Sequence, residues 1–146
     1  MLCGEVHDEN AFALGGVAGH AGLFSTAEDV YSLASVLLSA YRGKGDLFRP
    51  PVIRSFFTRQ LDIPGSTWAL GWDTPSPDHS SAGRYFSANS VGHLGYTGTS
   101  LWMDIERSLV VILLTNRIHP TRNNDRLKAF RPRIHDRIVE ELRPWN

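Results

Sequence analysis

Cysteine is nearly absent from this 146-residue chain, in which Cys3 is the only one. A single cysteine excludes an intrachain disulfide and a zinc site built from cysteines, and it leaves the redox compartment open. The longest apolar run, residues 109–114, is far shorter than the ~20 residues that a spanning helix needs. The N-terminus has no charged region followed by an apolar stretch. We therefore expect neither a signal peptide nor a membrane segment, and the localisation is unknown.

Charge is also scarce and evenly balanced. Charged residues make up 21% of the chain, with 15 basic against 15 acidic side chains. A protein that coats nucleic acid carries a basic excess, and a disordered chain carries fewer apolar residues than the 42% found here. We therefore expect a globular protein without a nucleic-acid partner, and its length alone is that of one ordinary domain.

Lysine is scarcer still, because 13 of the 15 basic residues are arginine. A Ser-x-x-Lys nucleophile needs its lysine one helical turn after the serine, so that the amine can take the hydroxyl proton. None of the 13 serines has a lysine there, and the Gly-x-Ser-x-Gly, phosphate-loop and His-Glu-x-x-His motifs are absent. The adjacent pairs His7-Asp8 and His135-Asp136 point their side chains apart. The residues alone thus predict no metal, no cofactor and no complete catalytic apparatus.

Turn-forming and capping residues predict the first elements. Residues 4–24 are rich in glycine and predict an irregular loop. Ser25 followed by Glu28 is a capping-box pattern, which predicts a helix that ends at the glycine at position 43 or 45. Paired prolines at 50 and 51 predict a second, short helix within residues 46–60.

The rest of the chain predicts a sheet and a last helix. Residues 67–74 are typical of a strand and residues 75–90 of a surface loop. Further strands are predicted over residues 91–97, 100–105 and 109–114. The last of these is a continuous apolar run, which is typical of a strand covered on both faces in the middle of a sheet. The final helix is predicted to start around Pro132, with Ile134, Ile138 and Leu142 on its inner face.

Residues 92–100 read GHLGYTGTS and lead into a hydrophobic hairpin. This stretch resembles the third motif, Lys-Thr-Gly or His-Thr-Gly, of the penicillin-recognising serine hydrolases, which include class C-type β-lactamases, D,D-peptidases and serine esterases. Three upstream stretches agree with that family in order: residues 4–11 (GEVHDENA), 19–29 (GHAGLFSTAED) and 70–72 (LGW). The resemblance covers about residues 4–142.

The resemblance implies an α+β fold that is only part of the β-lactamase/D,D-peptidase architecture. We expect an antiparallel sheet of at least three strands, a C-terminal helix packed on it and an N-terminal helical segment. Residues 1–60 would be a remnant of the helical subdomain, and residues 61–146 the C-terminal part of the α/β subdomain. The family's Ser-x-x-Lys and Tyr-x-Asn motifs are expected upstream of Met1. Residues 87–89 (SAN) imitate a Ser-x-Asn motif but lie too close to the third motif.

The resemblance also assigns site residues. It places His93 at the first position of the third motif, where it binds the substrate carboxylate or relays protons. It makes the Tyr96 backbone N–H one of two oxyanion-hole donors, the other belonging to the missing serine. Gly95 would let substrate approach the backbone. The resemblance further assigns substrate binding to Leu94, Thr97 and His20.

Plain structural roles compete with each assignment. His93 can be a half-exposed strand histidine, the Tyr96 side chain can simply pack, and packing of the surrounding loop explains His20 better than chemistry does. Leu94 replaces the family's usual threonine and lacks its hydroxyl, which favours an esterase-like or degenerate pocket over a penicillin-like site.

The leading hypothesis is therefore the C-terminal fragment of a serine hydrolase whose intact parent cleaves an ester, an amide or a β-lactam. The fragment would be inactive alone. The alternatives are a non-enzymatic module that binds a small molecule or peptide, and one half of a split hydrolase. The resemblance implies that strand 109–114 lacks a neighbour, so we expect self-association or pairing with a missing N-terminal half.

Overall fold

A computed structural model describes residues 2–142 of the chain. Within them the chain forms four helices and three strands, in the order α1 (Glu9–Ala13), α2 (Ala27–Tyr41), α3 (Pro50–Phe57), β1 (Val91–Leu94), β2 (Ser100–Asp104), β3 (Leu109–Leu113) and α4 (Arg126–Leu142). None of these helices is long and apolar enough to cross a membrane. Residues 143–146 of the predicted second subdomain lie outside the described part.

The predicted α+β fold with an antiparallel sheet is confirmed. The strands lie in the order β1-β2-β3, and the tight turn after β2 sets the register of the last pair. One face of the sheet packs on α2 and α3 through Val91 and Met103, which are fully buried. The other face packs on α4 and residues 75–90 through Trp102 and Val139.

Helix α2 begins one residue later than predicted. Its N-cap is Thr26, whose hydroxyl accepts the Asp29 N–H at 3.2 Å, so the predicted cap at Ser25 is wrong. The C-terminal prediction is confirmed, because Gly43 follows the helix at φ +77° and donates its N–H to the Ala40 carbonyl at 3.0 Å. A side chain at that φ would be strained, which explains why a glycine ends this helix.

The glycine-rich segment 4–24 is less irregular than predicted, because it contains α1. Asp8 caps this helix by accepting the Ala11 N–H at 2.8 Å. Five residues are too few to show a helical repeat of apolar positions, so the sequence pattern concealed the helix. The short helix predicted within residues 46–60 is confirmed as α3, with Pro50 in its first turn.

The strand predicted over residues 67–74 is wrong. These residues form a tight turn in which only Trp68 and Asp73 bridge, with Gly71 at φ +76°. Asp73 then exchanges two backbone hydrogen bonds with Gly92, at N···O distances of 2.7 and 2.9 Å. The segment therefore covers the start of the outer edge of β1 and leaves the rest of that edge open.

The apolar strand β3 lies at an edge of the sheet, so its predicted place in the middle is wrong. Of its residues only Val111 is buried. The middle position belongs to β2, where Trp102 and Met103 are 0% exposed. An edge strand with this composition matches the other prediction, that residues 109–114 lack a neighbour.

Helix α4 starts at Arg126, and Pro132 lies inside it, so the predicted start is wrong. The predicted inner face is confirmed only in part, because Ile138 packs on the cluster around Trp102 whereas Leu142 is 40% exposed. The buried side chains are those of Leu127, Arg131, His135 and Val139. Two polar residues lie on this buried face because hydrogen-bond acceptors are within their reach. The His135 Nδ1 lies 2.9 Å from the Ser81 carbonyl, and Arg131 donates to the Gly95 carbonyl in the loop after β1.

Candidate functional site

Strand β1 is an edge strand of the sheet and carries His93 at an exposed position. Its ring meets the Trp68 ring edge-on, with centroids 5.7 Å apart. Trp68 belongs to the turn that covers the start of this edge. The histidine is therefore held beside an aromatic wall while remaining open to solvent.

The backbone groups of Leu94 face the open part of that edge. In an antiparallel ladder, successive residues point their backbone groups alternately to one side and the other. The backbone groups of Gly92 point outward to Asp73, whereas the Gly95 N–H points inward and donates to the Thr99 carbonyl at 2.8 Å. By this alternation the backbone N–H and C=O of Leu94 point outward. Its side chain packs instead against the cluster around Trp102.

The loop of residues 95–99 has every carbonyl engaged. Gly95 and Thr99 accept from Arg131 at 3.0 and 2.9 Å. The Tyr96 carbonyl accepts from the Arg117 Nε at 2.7 Å, and the Thr97 carbonyl from the Arg117 N–H at 2.8 Å. The carbonyl at position 98 accepts from the Thr115 hydroxyl at 2.6 Å. The loop is thus held in place by Arg131 of α4 and by Thr115 and Arg117, which follow β3.

The Tyr96 N–H is one of the loop amides without an acceptor among residues 2–142. The Tyr96 side chain is 60% exposed and lies between two partners. The Arg117 guanidinium carbon is 4.4 Å from the ring centroid, a cation–π contact, and the His7 ring stacks with its centroid 6.0 Å away. The Tyr96 ring thus makes contacts with Arg117 and His7 while it stays largely exposed, and the Tyr96 N–H is available to donate.

His20 lies near the start of α1. Its Nε2 is 2.9 Å from the Asp8 carboxylate, which also caps that helix. The Ala11 N–H, followed by His20, lowers the pKa of Asp8 below its usual range. Because His7 precedes Asp8 in the chain and stacks on Tyr96, the structure links His20 to the third-motif loop through residues 7 and 8.

The SAN stretch at residues 87–89 serves the turn between β2 and β3. The Ser87 N–H and hydroxyl donate to the buried Asp104 carboxylate at 3.0 and 2.8 Å, and Asn89 donates to Glu106 at 2.9 Å. Burial raises the pKa of Asp104, but hydrogen bonds from Ser87 and Arg107 outweigh it and hold that pKa below its ordinary value. These contacts agree with the prediction that the likeness to Ser-x-Asn is a coincidence.

No group of three or more histidine, cysteine or acidic side chains within residues 2–142 is arranged to hold a metal ion.

The sequence matches the family model described as Beta-lactamase over residues 3–133. The chain belongs to the β-lactamase family. It is similar to a putative D-alanyl-D-alanine carboxypeptidase of Escherichia coli strain K12, 36% identical over 126 residues, which are 81% of this chain and 28% of that protein. An N-acetylmuramyl-L-alanine amidase of Bacillus subtilis strain 168 is 41% identical over 123 residues, 81% of this chain and 27% of that protein. The resemblance to penicillin-recognising serine hydrolases is thereby confirmed.

The fold of this β-lactamase-family chain matches a solved structure as well. The crystal structure of a β-lactamase from Mycobacterium bovis superimposes with a TM-score of 0.64 at 23% identity. The match covers 83% of this chain and 46% of that one, which confirms the partial β-lactamase-like fold. The chain thus spans less than a third of the length of the curated relatives it matches.

Three neighbours of the predicted site were missed in the sequence. Trp68 was assigned to a strand, and nothing in its local pattern indicates the contact with His93. Arg117 lies shortly after the end of β3, and its role depends on a loop about 20 residues earlier in the chain. Arg131 did leave a signal, because Leu127, Arg131, His135 and Val139 recur every four residues and so share one helix face.

Proposed function

We propose that this chain is the C-terminal part of a serine hydrolase that cleaves an ester or amide bond by acylation of a serine. The observation that carries the proposal is the third-motif loop, whose carbonyls are all engaged while the Tyr96 N–H is free. That arrangement suits a preorganised donor to a developing oxyanion. The nucleophile comes from the part of the protein that the relatives have and these residues do not include.

The exposed edge of β1 gives each predicted site residue a role. The His93 imidazole binds the substrate carboxylate or relays a proton, since histidine can donate or accept near neutral pH. An extended substrate pairs with the outward backbone groups of Leu94 as an added strand. Gly95 and Thr97 flank the Tyr96 amide, and His20 forms the far rim together with Asp8.

The substrate class follows from Leu94 and the relatives. Leucine supplies no hydroxyl to a substrate carboxylate, so this edge offers less to a penicillin-like ligand than a Thr-Gly motif does. The relatives are named for cleaving D-alanyl-D-alanine and N-acetylmuramyl-L-alanine bonds. We therefore favour an ester or amide substrate over a β-lactam.

Surface area supports the proposal of a missing half. The chain exposes 9873 Å², whereas a compact monomer of 16.3 kDa exposes about 7,500 Å². Part of the excess is apolar and lies on a short stretch around α1, with exposed side chains at Phe12, Leu14, Val17, Leu23 and Phe24. Strand β3 adds an unpaired apolar edge. We propose that the N-terminal half of the parent covers these surfaces, with residues 1–60 completing its helical subdomain.

The test compares two polypeptides: this chain alone, and the same chain joined to an upstream segment that carries Ser-x-x-Lys. The joined protein should hydrolyse p-nitrophenyl esters, and His93→Ala should lower that rate by at least 10-fold, whereas the exposed Arg133→Ala should not. The isolated chain should be inert toward esters and nitrocefin. Turnover by the isolated chain, abolished by His93→Ala, would contradict the proposal, and stabilisation by a ligand without turnover in either protein would favour a binding module.

A further inference from the structure

Arg131 is a buried cation that pairs with no carboxylate among residues 2–142. Its side chain lies on the inner face of α4 and is 8% exposed. Its Nη2 donates to the Gly95 and Thr99 carbonyls, and its Nε has no partner in the described part of the chain. Burial lowers the pKa of Arg131, and the positive charge of Arg117 lowers it further. Burying a charge without a carboxylate partner costs free energy of folding, so a benefit must offset that cost.

That benefit is not stability of the fold, because each of the two carbonyls that Arg131 binds also accepts a hydrogen bond from another donor. The Gly95 carbonyl also accepts the Gly98 N–H at 3.1 Å, and the Thr99 carbonyl accepts the Gly95 N–H at 2.8 Å. An apolar side chain of similar size at position 131 would leave neither carbonyl without a donor. Replacing buried charges by apolar residues of similar volume is often neutral or stabilising.

The Gly95 carbonyl and the Tyr96 N–H belong to one peptide group. That group is planar and trans, so its C=O and N–H bonds point in opposite directions. Arg131 and the Gly98 N–H both donate to this oxygen, and Arg131 holds it on the α4 side, so that the Tyr96 N–H points away from α4. A positive charge at the oxygen also draws electrons from the nitrogen, which makes the N–H a stronger donor.

We infer that Arg131 is a positioning residue, which aims and strengthens the Tyr96 N–H as the oxyanion donor. This inference deepens the proposed function and rests on it. Arg131 touches neither substrate nor nucleophile, and acts only through the peptide that it holds. Arg117 supports the same loop one peptide further on, through the Tyr96 carbonyl.

The first test uses the isolated chain and needs no activity. Arg131→Met keeps an unbranched apolar stem and removes the donors, and Arg133→Met is the control, since it changes an exposed arginine of the same helix. In ¹⁵N–¹H spectra we expect Arg131→Met to move the Tyr96 amide signal upfield, because the N–H loses the polarisation that the guanidinium supplies. A Tyr96 signal that stays as in the wild type, or that moves equally in Arg133→Met, overturns the inference.

Arg131→Lys covers the case in which the methionine variant does not fold. Lysine keeps the charge but reaches the two carbonyls less well than the planar guanidinium does. We expect an amide shift between those of the wild type and Arg131→Met. An unchanged Tyr96 amide signal in a folded Arg131→Lys protein counts against the inference. The loss of the fixed guanidinium geometry would then have no effect on this peptide.

The second test measures ester hydrolysis by the joined polypeptide that carries the nucleophile. Arg131→Met should lower kcat about 10-fold or more and leave KM within 2-fold, because the donor acts on the transition state. Arg131→Lys should restore part of the rate. An unchanged kcat overturns the catalytic role. A wild-type joined protein without acyl transfer overturns the proposed function instead, and the amide signal still decides whether Arg131 orients this peptide.

Discussion

At the scale of single residues, Gly92 shows how closely the strand that bears His93 lies on the core. A Cβ placed on Gly92 would overlap the ring of Trp102, which is fully buried and has no room to move. We expect Gly92→Ala to lower the free energy of unfolding by about 1–3 kcal/mol through overpacking. Urea denaturation measures this change.

Gly19→Ala is the control for that substitution, because a Cβ at Gly19 meets nothing within 4 Å and its φ is not positive. We expect Gly19→Ala to change the free energy of unfolding by less than about 0.5 kcal/mol. Equal effects of the two substitutions would mean that contact with Trp102 does not limit the residue at position 92.

Asp104 anchors the turn between β2 and β3. Its carboxylate is fully buried, accepts from Ser87 and lies 2.6 Å from the Arg107 Nη1. Asp104→Asn removes the charge and replaces an acceptor oxygen by a donor that faces other donors. We expect a loss of about 2–3 kcal/mol in the free energy of unfolding, measured by urea denaturation.

The exposed Asp125→Asn is the control for Asp104→Asn. Asp125 is 68% exposed and pairs with the equally accessible Lys128 at 3.1 Å. Such surface pairs contribute about 0–1 kcal/mol. If Asp104→Asn cost no more than Asp125→Asn, the hydrogen bonds of the turn would not stabilise the fold.

At the scale of elements, His135 joins α4 to β2 and to the loop before β1. Its Nδ1 donates to the Ser81 carbonyl at 2.9 Å, so its Nε2 is left as an acceptor 3.5 Å from the Ser100 hydroxyl. Burial lowers the pKa of His135, and the charge of Arg131 lowers it further, while Ser81 and Asp136 act the other way. The folded protein therefore holds this imidazole neutral.

That lowered pKa makes stability depend on pH. In the unfolded chain the pKa of His135 is about 6.5, so below that pH the unfolded state binds more protons than the folded state. The contribution of His135 is full above about pH 6.5 and is lost as the pH falls below it, by at most about 1.4 kcal/mol per pH unit. Urea denaturation between pH 7.5 and 5.5 should show a flatter dependence in His135→Gln.

The exposed His79 provides the control for this pH series. Its φ is +53°, and asparagine tolerates that conformation, so His79→Asn removes a histidine without new strain. We expect His79→Asn to keep the wild-type pH dependence. If His135→Gln lost stability with falling pH as steeply as the wild type, other groups would have to cause the decline.

The elements also show what a sequence can and cannot predict. Strands β2 and β3, the start of β1 and the glycine that ends α2 can be predicted because alternation, apolar runs and turn residues are local signals. The strand predicted over residues 91–97 ends already at Leu94, where the loop to β2 begins. Residues 67–74 are wrongly predicted as a strand because they fold back on themselves through the Trp68–Asp73 bridge, and their partner in the sheet, Gly92, lies about 20 residues later in the chain. The start of α4 was misplaced because Pro132 reads as a helix start, although packing of the inner face overrides it here.

The candidate site likewise contains residues that the sequence indicates and contacts that it does not. The family motif indicates His93 and Tyr96 from the sequence, and their assigned roles stay predictions. The support of the Tyr96 peptide by Arg131 depends on contact between α4 and a loop 36 residues earlier, which no local pattern contains. The helix spacing indicates only that Arg131 is buried.

At the scale of the whole molecule, the chain exposes 9873 Å², more than the about 7,500 Å² of a compact monomer of its mass, and part of that surface is apolar. Among residues 2–142 no strand pairs with the outer side of β3, which leaves one row of its backbone N–H and C=O groups unpaired next to Leu114, itself 49% exposed. Unpaired apolar edges invite pairing with another chain. We therefore expect the isolated chain to associate at micromolar concentration, and light scattering should report a mass above 16.3 kDa.

A charge at that edge should reduce the association, because lysine must lose its hydration to enter a strand pair. We expect Leu114→Lys to shift the scattering mass toward that of the monomer. Leu61→Lys is the control, since Leu61 is 82% exposed in the loop after α3 and belongs to no strand of the sheet. A wild-type chain that stays monomeric at micromolar concentration contradicts the prediction. Equal effects of the two lysines would place the contact elsewhere than β3, for instance on the exposed apolar side chains of residues 12–24.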